Sequence, residues 1–187
     1  ADYEHHESAA VAYGIYNYTR ITGDLEFFYN KGIYILIETA RFWASRCEYI
    51  EKEGRYEIRK VTGPDEWHEP VDNNVYTNYL ARWNLLYVKR KLDELKADNR
   101  SLYKDVIEKT QFSDEAVELQ SIADKIYLPK MAGRNILEQF EGYFELKDCI
   151  IEKYDENDWP IRPEILKELT VDKTSLIKQA DVVMLMY

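Results

Sequence analysis

Apolar residues recur three and four positions apart through most of this chain, and that spacing constrains its fold more than any other feature. From Ile33 to Ile50 the stripe is Ile33, Leu36, Ile37, Ala40, Trp43, Ala44 and Cys47, one face of an amphipathic helix. A longer helix is expected from about Asn74 to Leu95, with Tyr76, Tyr79, Leu80, Trp83, Leu86, Tyr87, Arg90 and Leu95 near its buried side. Tyr3 to Ile21 predicts a third, with Ala9, Ala10, Tyr13, Tyr16 and Asn17 on one face and a stop at the Thr22–Asp24 turn. Shorter helical segments are expected at Leu25–Tyr29, Leu102–Thr110, Asp114–Ile126 with Ser113 as its cap, and Pro163–Leu169. A final apolar helix is expected over Thr174–Tyr187. The period breaks at Tyr49–Ile58, which alternates about Gly54 and reads as a small hairpin. Pro129–Asn135 reads as a loop, Asn157–Pro163 as a Trp- and Pro-rich irregular stretch, and Leu137–Leu146 as either helix or strand.

The fold class is therefore all-α, with helices joined alternately by short turns and longer loops. No heptad is sustained, which excludes a coiled coil. Sequential helix pairs with long loops on one side suit a helical barrel or toroid, and an irregular bundle equally. A length of 187 residues accommodates one ordinary domain or a large piece of a bigger one. The chain begins at Ala1 without a Met and stops at Tyr187 inside an apolar run, so both ends are expected to be cut from a longer protein.

A formal net charge of −10 repels phosphate backbones and anionic lipid heads, which argues against nucleic acid or membrane partners. No apolar run reaches the roughly 18 residues of a membrane span, and no signal peptide is visible, so a cytoplasmic location is expected. Cys47 and Cys149 are too few for a disulfide framework or a zinc site and read as buried free thiols. There is no Gly-rich phosphate loop, no G-x-S-x-G elbow and no Cys/His nucleophile pattern. The 16 Tyr and 4 Trp can stack sugar faces, although ordinary packing accounts for most such residues.

The chemistry concentrates in V-T-G-P-D-E-W-H-E-P-V-D-N-N, Val61 to Asn74. One reading is an exposed acidic loop feeding a helix, with Asp72, Asn73 and Asn74 as caps. The other makes Glu66 a general acid. Gly63-Pro64 would fix where its carboxyl points, and Trp67 beside it would lower the local dielectric and raise its pKa toward neutrality. A metal role for His68 is weaker, because no H-E-x-x-H spacing accompanies it, and the adjacent pair His5-His6 reads as surface or partly buried histidines. In Ile177–Val182, Lys178, Gln179 and Asp181 interrupt an apolar run; they form either the wet side of a helix or a polar cluster for sugar hydroxyls or an anion. Phe140–Phe144 reads as core packing ahead of a cleft wall.

V-T-G-P-D-E-W-H-E-P-V-D-N-N-V-Y-T-N-Y-L-A closely resembles the acid-bearing segment of glycoside hydrolase family 65, which contains inverting maltose, kojibiose, nigerose and trehalose phosphorylases. I-L-I-E-T-A-R-F-W-A-S-R, G-R-Y-E-I, Q-F-E-G-Y-F and I-K-Q-A-D-V resemble family segments in family order, so the likeness covers essentially the whole chain. It implies part of an (α/α)6 barrel, a partial catalytic domain over residues 1–187, with the hairpin in a loop. The family's N-terminal β-sandwich, further barrel helices and phosphate-binding segment are absent from this stretch, so a truncated product or one piece of a split gene is expected.

Carried over from the family, Glu66 is the expected general acid. Lys178 and Gln179 are expected to bond the hydroxyls of the transferred glucosyl unit, and Trp67, where many members have Tyr, to wall the acid. Disaccharide and inorganic phosphate are the expected partners, with no metal and no other cofactor, in a homodimer of the full-length enzyme or in complementing fragments of one barrel. One well-placed acid without a partner base fits phosphorolysis, since an inverting hydrolase needs a second carboxylate roughly 6.5–9.5 Å away. A family α-glucosidase using water, and an inactive helical fragment that only binds sugar, are the alternatives.

Overall fold

Helix α1, His6–Thr22, runs to a left-handed Gly23 and leads through α2, Leu25–Phe27, and a wider turn at Phe28–Gly32 into α3, Ile33–Arg46, in this computed structural model, which describes residues 3–112 and 115–186. A hairpin follows, β1 Glu48–Ile50 against β2 Arg55–Glu57, with Tyr49 opposite Tyr56. The long helix α4, Val75–Asp98, then packs against α1, α3, α5 (Arg100–Thr110) and α6 (Glu115–Lys125), and serves as the spine of the core. The cap expected at Ser113 lies outside the described residues. Among the described residues no helix is long and apolar enough to cross a membrane.

As far as α6 the helices form within a few residues of where they are expected, but two buried seams are rotated. On α1 the buried residues are Ala9, Ala12 and Ile15, while Ala10 and Tyr13 are exposed. On α4 the seam is Val75, Asn78, Ala81, Leu85, Val88, Leu92 and Leu95; Tyr87 and Leu95 are buried as expected, whereas Tyr79 and Arg90 are exposed. Small and branched side chains let the backbones approach, and the large rings flank the contact one residue round, about 100° away. There the rings pack on one another. Trp83 stacks on Tyr87 at 5.2 Å, and Tyr13 and Tyr16 meet Trp83 edge-on at 5.4 and 5.6 Å. Each fully buried Leu or Ile of the seams contributes about 1.5–3 kcal/mol relative to exposure.

Helix α3 stops at Arg46 rather than Ile50, because Cys47 turns extended and residues 48–50 pair into the hairpin. Glu57 fastens the hairpin. It is buried, and its two oxygens each accept from a guanidinium 2.7 Å away, Arg55 and Arg59, while Arg55 lies 3.5 Å over the Tyr127 ring. Leu137–Leu146 is neither helix nor strand but a run of bends and turns from an isolated bridge at Leu137 to a 3-10 turn at Tyr143–Glu145, with Phe140 buried and Phe144 exposed. Pro163–Leu169 contains only a 3-10 turn, Glu164–Lys167.

The largest departure is at the end. Of Thr174–Tyr187, only α7, Asp181–Met184, is α-helical, and Tyr187 lies outside the described residues. Ser175–Ala180 is irregular because its backbone groups bond elsewhere than in a helix of their own: the Lys178 amide to Asp65 of the Val61–Asn74 loop, the Gln179 carbonyl to Gln139 and the Ser175 carbonyl to Tyr143. Both cysteines are unpaired and half-buried, and burial pushes the Cys47 thiol up to about 12.

Candidate functional site

The acid-rich segment is a closed loop. At its base Val61 and Val71 exchange both backbone hydrogen bonds, at 2.9 and 2.8 Å, and the Thr62 hydroxyl donates to Glu69 at 3.0 Å. The start of α1 is tied to it by His6, whose Nδ1 donates to the Thr62 carbonyl at 3.1 Å. Of the three residues expected to cap α4, Asn74 does so, its Oδ1 accepting from the Thr77 amide at 2.9 Å. Asp72 turns back to accept from the Lys60 amide, and Asn73 accepts from the Ile58 amide, so these two shape the loop's exit rather than the helix start.

Inside the loop, Asp65 is the hub. Its Oδ2 accepts from His68 Nδ1 at 2.7 Å and Gln139 at 3.3 Å; its Oδ1 accepts from the Lys178 amide at 2.9 Å and the Trp67 amide at 3.2 Å. The other ring nitrogen of His68 lies 3.0 Å from the Thr174 carbonyl, which can only accept. Both nitrogens therefore donate, and His68 is an imidazolium buried against Asp65. Burial alone would lower the His68 pKa and raise that of Asp65, but their mutual bond, with the Thr174 and backbone contacts, reverses both: His68 is raised and Asp65 lowered. An imidazole with both nitrogens so engaged has no lone pair for a metal. Among the described residues no group of three or more His, Cys, Asp or Glu is placed to hold one.

At the tip, Glu66 and Trp67 are exposed. Lys178 Nζ donates to Glu66 Oε2 at 2.6 Å and Gln179 Nε2 to Oε1 at 3.1 Å, while Gln179 Oε1 accepts from the Glu66 amide at 3.4 Å. All four residues singled out in the sequence thus stand at one place. The electrostatics differ from expectation. The bonds from Lys178 first, then Gln179, hold the Glu66 carboxyl below its ordinary value, and Trp67, 41% exposed, does not desolvate it. Beside Trp67 and Lys178 opens a cleft of about 760 Å³, walled by Ile161, Leu166, Val171, Leu176 and Ile177.

Sequence reasoning passed over Asp65, Asn74 and Gln139 as site residues, and took Asp181 only as one polar position in an apolar run. Asp181 is fully buried beside the loop; its Oδ1 accepts from the Asp65 amide at 2.9 Å and its Oδ2 from Asn74 Nδ2 at 2.6 Å. These two side chains also explain Gly63. A Cβ there would stand 2.3 Å from Asn74 Nδ2 and 2.5 Å from Asp181 Oδ2, so the position has no room for one.

Residues 1–187 match the model of the glycosyl hydrolase family 65 central catalytic domain. The chain is 50% identical over 186 residues to the kojibiose phosphorylase of Caldanaerobacter subterraneus subsp. tengcongensis, covering 99% of this chain and 24% of that protein. It is 36% identical over 194 residues to the 1,2-alpha-glucosylglycerol phosphorylase of Bacillus selenitireducens, again with 98% and 24% covered. Among solved structures, a protein from the human microbiome provisionally assigned as a kojibiose phosphorylase superposes with a TM-score of 0.77 at 27% identity, over 96% of this chain and 24% of that one. That likeness agrees with the all-α class and with part of an (α/α)6 barrel. The chain spans about a quarter of the length of the curated relatives it matches.

Proposed function

Because the chain belongs to glycosyl hydrolase family 65, we propose that it is a portion of the catalytic barrel of an inverting disaccharide phosphorylase and that Glu66 is the proton donor. The observation that supports this most is the Glu66 carboxylate at an exposed loop tip, bridged by Lys178 and Gln179 beside an open cleft. Relatives at 50% and 47% identity are kojibiose phosphorylases, so kojibiose is the first substrate to test.

The resting geometry sets the order of events. Lys178 keeps Glu66 ionised, and an ionised carboxylate cannot give a proton. Hydroxyls of the transferred glucosyl unit draw Lys178 and Gln179 away, and the sugar together with Trp67 excludes water from the carboxyl. Loss of the cation and of solvent both raise its pKa, so Glu66 takes up a proton. As the bond from the anomeric carbon to the glycosidic oxygen breaks, that proton passes to the oxygen, and a phosphate oxygen bonds the anomeric carbon from the opposite face. The products are β-glucose 1-phosphate and the released sugar. Phosphate is the co-substrate, and the step calls for no further cofactor.

The full-length protein incubated with kojibiose, maltose, trehalose and nigerose is expected to release β-glucose 1-phosphate from one of them, only when phosphate is present. Free glucose formed at the same rate with and without phosphate would mean that water is the nucleophile.

A further inference from the structure

We propose that Asp181 is a positioning residue for the proton donor: with Asn74, Asp65 and Gln139 it closes a buried clamp that sets where Glu66 stands relative to Lys178 and Gln179. This rests on the reading of Glu66 as the acid, but the clamp itself is a matter of geometry.

Two chain segments 113 residues apart hold each other reciprocally. The Lys178 amide donates to the Asp65 side chain at 2.9 Å, and the Asp65 amide donates to the Asp181 side chain at 2.9 Å. Gln139 crosses between them: its Nε2 donates to Asp65 Oδ2 at 3.3 Å and to the Gln179 carbonyl at 2.8 Å, and its Oε1 accepts from the Asp181 amide at 3.0 Å. The backbone on each side of Glu66 and of the Lys178–Gln179 pair is thereby fixed. Neither partner at the tip is held by packing, since Glu66 and Lys178 are both exposed.

The chemistry demands a carboxylate at 181. Asn74 Oδ1 already accepts from the Thr77 amide and hydroxyl, so Asn74 cannot flip and must present its NH₂ to Asp181. The Asp65 amide presents another N–H to the other oxygen. The two donors meet two different oxygens, and an amide side chain would set its NH₂ against one of them. Burial raises the Asp181 carboxyl to about 7, so the position is costly to keep charged, and its two donors and the absent Cβ at Gly63 are built around it.

The test uses Asp181→Asn in the full-length protein, with two substrates: a disaccharide, whose leaving oxygen needs a proton, and α-glucosyl fluoride with phosphate, whose fluoride leaves without one. A displaced acid lowers kcat on the disaccharide by about 10- to 100-fold with little change in KM, and leaves turnover of the fluoride nearly intact. Equal losses on both substrates, or no loss on the disaccharide, would overturn the proposal. Asn74→Ser keeps the helix cap, removes the NH₂ facing Asp181, and is expected to shift the ratio of the two rates the same way, which decides the matter should Asp181→Asn not fold. Glu66→Gln run alongside separates the two readings. If it keeps disaccharide turnover, the proton-donor assignment fails; if it loses turnover while both clamp variants keep theirs, only the clamp fails.

Discussion

Glu66→Gln in the full-length protein is expected to lower turnover of the disaccharide substrate by roughly 100- to 10,000-fold, the range a positioned general acid contributes. Sugar binding is expected to hold or to tighten. The amide can still meet Gln179, but it no longer engages Lys178 as an ion pair, so the lysine is freer to meet sugar hydroxyls. Steady-state kinetics with isothermal titration of the sugar checks both halves. A fall in kcat at unchanged KM is the signature of an interaction used in the transition state alone. Wild-type turnover would remove Glu66 from the chemistry, and loss of sugar binding would make it a binding residue instead.

Asp65→Asn is expected to be the most destabilising polar change in the loop, costing about 3 kcal/mol, because it strips the counter-charge from a buried imidazolium. Both side chains of the pair are 2% exposed, so water does not screen the loss. The cost depends on pH in a defined direction. The Asp65 pKa is lowered in the fold, so its contribution is present above the ordinary carboxyl value near 3.9 and is lost as pH falls through its native value. The His68 pKa is raised, so its contribution is full below about 6.5 and is lost as pH rises through its native value. The pair therefore stabilises most between roughly pH 4 and 6.5. Asp181 works against the fold over part of that range: raised to about 7, it contributes stability below about 3.9 that is lost as pH rises through 7. Urea denaturation of wild type and Asp65→Asn from pH 5 to 9 should show their difference shrinking once His68 loses its proton. A difference independent of pH would mean that His68 is neutral throughout.

Much of the helical frame was legible because it rests on local rules. Asn74 stands before a long apolar period and caps it, and Gly54 marks the hairpin turn. The seams of α1 and α4 were misplaced for a physical reason: Tyr13, Tyr79 and Trp83 count as apolar in a periodicity argument, yet an amphipathic ring is satisfied at the flank of a contact. The end of the chain misled more. An apolar run with Asp181 inside reads as a helix unless one knows that Asp65, 116 residues away, claims that carboxylate.

The site divides in the same way. Glu66, Trp67, Lys178 and Gln179 stand out by their chemistry, take their expected roles from the family resemblance and do stand together, but no local pattern could show Lys178 bonded to a carboxylate 112 residues earlier. The expectation of a raised Glu66 pKa failed because neighbours in a tight loop point apart, leaving both Glu66 and Trp67 in water. A signal for the clamp did exist. Lys178, Gln179 and Asp181 inside an apolar run need partners if buried, and the buried one, Asp181, has them.

On the function proposed above, Glu66 is ionised at rest and becomes the proton donor when sugar takes its partners away. The measurement that bears on it most directly is the pH dependence of kcat/KM and of kcat at saturating phosphate, since the first reports the acid in the free protein and the second in the sugar complex. The alkaline limb, where the donor has lost its proton, is predicted to lie at lower pH in kcat/KM than in kcat, and to vanish from both in Glu66→Gln. Limbs that coincide, or that survive in the variant, would contradict it.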